Sequence, residues 1–302
     1  MAEHLVESRI HLVELEDGRR VGVRRLVEGD TGRVLVLCHP APGAGTLNPD
    51  PEQTWARGVT LLGADRPGYG RSDPLPGDRW SSVSAAAADL ESVLDRTSGG
   101  PVGVAGWSAG GRVALALAAR RPDLVDRVVV FGTPAPQDEV PWLPPEQQAM
   151  LDSLRGLSPG VVHAALREQL GQLVAPTATA GDVLSLLSVS PADETALARP
   201  GVRERLEVML DAAFSQGIEG LVSDLAGYCM QPWGFEPQAV KAKTLLLYGS
   251  RDPVAGLRHA NWWQKRLPDA RVEMTPGAGH LLIFLRWERA LSHLAPGARR
   301  GK

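Results

Sequence analysis

A continuous apolar run that breaks into a glycine-flanked turn and resumes as an alanine- and leucine-rich helix constrains this chain more tightly than any other feature. Val102 to Ala105 has the continuity of a buried strand, Gly106-Trp107-Ser108-Ala109-Gly110-Gly111 follows, and Arg112 to Arg120 favours helix. A strand turning that sharply into a helix forces its apex residue, Ser108, into strained φ/ψ and brings the two backbones close together. Only small side chains fit two positions to either side, and Gly106 and Gly110 supply them. The strain holds Ser108 Oγ clear of the packed interior, and the first helical N–H groups point at the same spot. A glycine-rich turn without chemistry satisfies the same pattern, because glycine is common here, at 33 residues. A dinucleotide-binding turn does not. It needs G-x-G-x-x-G in an N-terminal βαβ unit and an acidic residue ending the next strand, whereas Val128 to Phe131 ends in Gly132-Thr133.

In this strand-to-helix context G-x-S-x-G resembles the nucleophile elbow of the α/β-hydrolase superfamily. The run His39-Pro40-Ala41-Pro42-Gly43, which breaks the buried strand Val34 to Cys38, is similar to the superfamily's H-G-x-P-G-like loop. The resemblance implies an oxyanion hole made by the backbone N–H groups of Ala41 and of Ala109. Pro40 replaces the usual second glycine, and the N–H it lacks is not one the hole uses. His39 reads as a structural hydrogen-bonding residue rather than a base. Asp65-Arg66-Pro67-Gly68-Tyr69-Gly70-Arg71-Ser72 matches D-x-P-G-x-G-x-S, found in many cap-bearing members, and reads as an architectural turn beside the pocket.

A serine hydroxyl is a weak nucleophile at neutral pH and needs a base, which in turn needs a third group to orient it. The resemblance implies the order serine, acid, histidine, each on a loop at the carboxyl end of a strand. Ser108, Asp252 after the strand Thr244 to Tyr248, and His280 after the strand Arg271 to Met274 fit both order and placement. The alternative acid position, after the strand that precedes the cap, offers only Gly132-Thr133 and a distant Asp138. His259, close behind Asp252, competes poorly as the base, as do His163 within the cap and His4, His11 and His293 near the ends.

The expected fold is α/β: an eight-stranded, mostly parallel α/β-hydrolase sheet with helices on both faces and a helical cap insertion. Residues 1–133 and 241–302 form the core, and 134–240, rich in prolines and short helical patterns, form the cap. An Asp-Gly turn joins two antiparallel edge strands, Ile10 to Leu15 and Arg19 to Arg25. Ser81 to Asp95 reads as a helix capped by Ser81 or Ser82, and Val202, Leu206, Met209, Leu210 and Ala213 share one helical face. Trp107, Trp142, Trp233 and Phe235 are expected to contact substrate. Asp224 and Glu219 are placed to bind a substrate cation, although a solvated helix face is the commoner fate of such residues, and Ala295 to Lys302 reads as a frayed tail.

A net charge of −3 offers no electrostatic case for nucleic acid or an anionic membrane. No apolar run approaches a membrane span, and the N-terminus does not read as a secretory signal, so a cytoplasmic location is expected. Cys38 and Cys229 read as small buried hydrophobes. The expected activity is hydrolysis of a small ester, thioester or amide through an acyl-enzyme on Ser108, with no metal or cofactor, by a monomer or homodimer. Perhydrolase or haloperoxidase-like acyl transfer, and a non-catalytic receptor on the same fold, are the alternatives. Epoxide hydrolases and haloalkane dehalogenases are disfavoured, because they carry aspartate where Ser108 stands.

Overall fold

The computed structural model describes residues 10–171 and 184–301; His4 and Lys302 lie outside the described residues. Eight strands form one sheet: β1 Ile10–Glu14, β2 Arg20–Val27, β3 Val34–Cys38, β4 Thr60–Ala64, β5 Val102–Trp107, β6 Val125–Phe131, β7 Lys243–Gly249 and β8 Ala270–Thr275. Their order is β1-β2-β4-β3-β5-β6-β7-β8, as expected an eight-stranded and mostly parallel sheet. β1 and β2 form the antiparallel hairpin, β2 pairs antiparallel with β4, and every later pairing is parallel.

The central parallel strands β3, β5 and β7 are largely apolar on both faces because both faces are covered. Along β5, Val102 and Val104 enter one core while Ala105 and Trp107 enter the other; along β7, Leu246 and Tyr248 oppose Leu245 and Leu247 in the same way. Helices α2 Val83–Thr97 and α3 Ala109–Arg120 cover the first face. α1 Pro51–Ala56 lies on the second, where Thr54 Oγ1 accepts the Trp287 indole N–H at 2.8 Å. Ser82 caps α2, its hydroxyl accepting the Ala85 amide at 3.0 Å.

Between β6 and β7 the described residues contain helices and no strand: α4 Pro145–Ser153, α5 Pro159–Leu170, α6 Glu194–Leu197, α7 Val202–Ala213 and α8 Glu219–Met230. On α7 the five residues anticipated from their spacing are the five that are buried. The chain closes with α9 Leu257–Arg266, packed on the first face, and α10 Leu282–Leu294, on the second. No helix among the described residues is long and apolar enough to cross a membrane.

The last residues correct the expectation of fraying. Arg300 donates its backbone N–H to Ala56 O at 3.1 Å and its Nη2 to Glu28 O at 2.7 Å, and its guanidinium lies 4.5 Å from the Trp55 ring centroid. A cation resting on an aromatic face, with carbonyls for its N–H groups, anchors a segment whose composition alone reads as tail.

Strand order also locates the site. After β3 the chain adds β4 on one side and then β5 on the other, so the loops leaving β3 and β5 diverge. The crevice between such loops, at the carboxyl ends of the strands, is where open α/β sheets bind ligands.

Candidate active site

Ser108 leaves β5 at φ 54°, ψ −120°, a left-handed conformation that a residue with a side chain adopts at a cost of about 1–3 kcal/mol. The surrounding packing enforces it. A Cβ on Gly106 would overlap Gly110 O, and one on Gly110 would overlap Cys38 O. Gly111 is held as tightly, because a Cβ there would overlap Thr133 Oγ1. Its need for a small residue is a third constraint that the five-residue motif does not express.

Asp252 and His280 meet across the ends of β7 and β8. Asp252 Oδ2 lies 2.8 Å from His280 Nδ1, and Oδ1 accepts the amides of Val254 at 2.8 Å and Ala255 at 3.0 Å. Burial opposes charge on His280, but the charge and hydrogen bond of Asp252, with a smaller contribution from Asp193, outweigh it and hold the pKa above the ordinary histidine value. The alternative acid position is sterically closed: a Cβ on Gly132 would sit 2.8 Å from Asp252 Oδ2.

Two further groups fix the histidine loop. The Trp107 indole N–H donates to His280 O at 3.0 Å, and Asp193 Oδ1 accepts the Leu281 amide at 2.7 Å. Trp107 is fully buried, which corrects its expected role as a substrate contact. Its indole ties β5 to the loop that carries His280. Asp193, just ahead of α6, was not legible as a site residue, because no sequence pattern places the 134–240 segment against residue 281.

The loop after β3 is clamped by the D-x-P-G-x-G-x-S segment. The Arg66 guanidinium donates to the carbonyls of His39 and Pro40, the latter at 2.7 Å, and to Asp224 Oδ2 on α8 at 2.6 Å. Tyr69 Oη donates to the same Asp224 oxygen at 3.0 Å. Both members of the ion pair are buried, so Asp224 is neither solvated nor free. Glu219, half-buried, is engaged by Arg167. Asp65, equally buried, takes Arg24 through both oxygens and accepts the amides of Gly45 at 2.7 Å and Arg71 at 2.9 Å. His39 uses both ring nitrogens: Nε2 accepts the Arg66 amide at 3.1 Å, leaving Nδ1–H to donate to Pro40 O at 2.8 Å. Burial, reinforced by the Arg66 charge, pushes its pKa well down, so it stays neutral and structural.

Ser108, Ala109, Ala41 and His280 line one cavity of roughly 460 Å³, bounded beyond them by the 134–240 segment. Among the described residues no hydrogen bond links Ser108 Oγ to His280, an arrangement common before a substrate draws the groups together. At the first position of α3 the Ala109 amide has no intrahelical acceptor. Trp142 lies in the cavity wall. Trp233 and Phe235 do not. Trp233 stacks between Phe235 and Trp263, at centroid distances of 6.4 and 5.6 Å, and both line a separate groove. Aromatic stacking on α9 holds them away from Ser108.

Arg112, one helical turn beyond Ser108, also lines the cavity, although only 2% exposed. It read as an ordinary helix former; the available signal was a charge inside the otherwise apolar stretch Val113 to Ala119. His259 accepts the Ala135 amide at 3.0 Å, and burial pushes its pKa down to about 4. Burial pushes the thiols of Cys38 and Cys229 up, to about 12 and about 11, which removes both as neutral-pH nucleophiles. Cys229 is only half-buried by its surroundings and lines the cavity, unlike Cys38.

The chain matches a family model described as alpha/beta hydrolase fold over residues 33–286. It is 28% identical to polyketide synthase ThaQ of Burkholderia thailandensis, over 92% of this chain but only 12% of that protein's length. It is 26% identical to a pimeloyl-[acyl-carrier protein] methyl ester esterase of Chromobacterium violaceum, over 72% of this chain and 74% of the other. A solved structure of a hydrolase from Pseudomonas aeruginosa superposes with a TM-score of 0.71 at 21% identity, covering 96% of this chain and 99% of that one, a likeness of fold.

Proposed function

Because the chain belongs to the alpha/beta-hydrolase family, for which hydrolysis of esters and similar substrates is supported, we propose that it is a serine hydrolase cleaving a small ester, thioester or amide. The observation that carries this reading is the convergence, in one cavity, of a strained serine, a histidine bonded to a buried carboxylate, and Ala41 and Ala109.

On this reading His280 takes the Ser108 proton as Oγ attacks the substrate carbonyl, and the amides of Ala41 and Ala109 stabilise the oxyanion. His280 then protonates the leaving group. Water, deprotonated by the same imidazole, releases the acyl group from Ser108. Asp252 holds the imidazole with Nδ1 protonated and stabilises its charged form. Arg66 positions the Ala41 donor by gripping the carbonyls of the two preceding residues. Residues 134–240 act as the cap that shapes the acyl pocket.

A fluorophosphonate probe tests the proposal. Wild-type protein is expected to label stoichiometrically and to hydrolyse p-nitrophenyl esters, and Ser108→Ala to lose both while keeping its fold. Folded wild-type protein that does not label would point to a receptor on this scaffold. Labelling accompanied by bromination dependent on acetate and peroxide would redirect the acyl group from water to peroxide.

A further inference from the structure

A guanidinium withdrawn from water needs acceptors, and in a protein interior it normally finds a carboxylate. Arg112 has none among the described residues. Its Nε and Nη1 reach two neutral carbonyls at long range, Pro134 O at 3.3 Å and Tyr228 O at 3.4 Å, and its Nη2 has no acceptor among the described residues. The Trp142 and Trp233 rings hold the cation, their centroids 5.4 and 4.5 Å from Cζ. The carboxylate in the same cavity wall, Asp224, is already engaged by Arg66 and Tyr69. Among the described residues the buried hydroxyl of Tyr228, itself 4% exposed and a wall residue, has no partner, and neither has the Trp142 indole N–H. The wall therefore carries positive charge and surplus donors one helical turn from the nucleophile.

We propose that Arg112 forms a subsite for a carboxylate on the substrate, so that the chain acts on esters or thioesters of short, acid-tipped acyl groups. This rests on the serine-hydrolase reading above. Helical side chains lean towards the helix N-terminus, so Arg112 leans back towards Ser108 and the spacer between scissile carbonyl and carboxylate is short. A carboxylate fits better than a phosphate. Two of the guanidinium's edges are already spent on carbonyls, and much of the remaining wall is aliphatic, including Leu143, Met150, Leu170, Leu187, Leu221 and Leu225. Such a wall matches a methylene chain with one weakly hydrated monoanion at its tip and opposes a dianion.

The test compares monoethyl glutarate with ethyl glutaramate, which replaces the carboxylate by a neutral amide of the same shape. Wild-type kcat/KM is expected to favour the anion by about tenfold or more, and Arg112→Gln and Arg112→Met to abolish the preference while turning over the amide within about threefold of wild type. Arg112→Lys, which keeps the charge but not the fork, retains part of it. Binding is read separately: glutarate should raise the Tm of Ser108→Ala and not that of Ser108→Ala/Arg112→Gln. Equal rates on the two esters in wild type, or equal losses on both in the Arg112 variants, overturn the subsite, whether or not Ser108 labels. Arg112-dependent glutarate protection without fluorophosphonate labelling would keep the subsite and remove the hydrolase. If Arg112→Met does not fold, the wild-type preference and the glutarate protection of Ser108→Ala decide.

Discussion

Replacing Asp224 by leucine leaves the Arg66 guanidinium buried without its counter-charge, and this perturbation reports how the Ala41 loop is held. Both side chains are 5% exposed, so solvent does not screen the loss. Breaking such a pair from one side costs about 3–5 kcal/mol, or a Tm decrease of roughly 6–10 °C in a chain of this size. Arg66→Met strands Asp224 with only the Tyr69 hydroxyl and also removes the donors to His39 O and Pro40 O, so it should cost at least as much. The double variant Arg66→Met/Asp224→Leu strands no charge. Pro40 O keeps its bond from His39 Nδ1, leaving His39 O and the Tyr69 hydroxyl without partners at about 1–3 kcal/mol each. The double variant should therefore be no less stable than either single one, whereas independent effects would sum to about 6–10 kcal/mol. Denaturant titration measures all four proteins, and p-nitrophenyl butyrate turnover follows the loop. kcat should fall by about tenfold to a hundredfold in both Arg66 variants, below the 10²–10³ typical of deleting an oxyanion donor. A double variant whose loss equals the sum of the singles would refute the idea that one charge pair clamps the loop.

Two other perturbations separate chemistry from packing. Under the proposed mechanism His280 acts as a base only when neutral, and Asp252 holds its pKa above 6.5, so kcat/KM should rise with pH through a midpoint above that value. In Asp252→Asn burial is opposed only by the smaller contribution of the Asp193 charge: the midpoint should move down and the plateau fall by about 10⁴. The raised pKa also means that the pair's stabilisation is complete below the unfolded histidine value and fades as pH climbs through the folded one, so the Tm gap between wild type and Asp252→Asn should narrow towards alkaline pH. Gly111→Ala forces a methyl into Thr133 Oγ1 and should cost more than the usual ~1–3 kcal/mol of overpacking. Thr133→Ala in the same chain should recover part of it, because only Thr133 Cβ, 2.9 Å from the new atom, then remains in the way. Thermal unfolding of the three proteins checks this, and no recovery would place the constraint elsewhere.

Local patterns identified what depends on the local backbone. The elbow glycines, the hairpin turn at Gly18, the Ser82 cap and the α7 stripe each follow from a few neighbouring residues, and each is present. The pairing of Asp252 with His280 was legible because both sit at strand ends in a fixed chain order. What stayed hidden joins segments far apart in sequence. Arg66 looks like filler in a proline-glycine turn until α8 delivers Asp224. Trp107 looks like a substrate contact beside Ser108 until its indole is found bonded to the His280 carbonyl. Trp233 and Phe235 look like pocket residues until α9 presents Trp263 for stacking. Side-chain partners contributed by distant helices decide these roles, and periodicity carries no record of them.

The two acids that the 134–240 segment sends into the core, Asp193 to the amide beside the histidine and Asp224 to the arginine behind the Ala41 loop, limit how freely that segment can be exchanged. It looks like a detachable module, joined to the sheet only at its ends, yet it carries a peg for the His280 loop and another for the Ala41 loop. A segment transplanted from a relative without those two carboxylates would bring a new cavity wall and unsettle the two loops beneath it, so under the proposed function specificity and rate would change together.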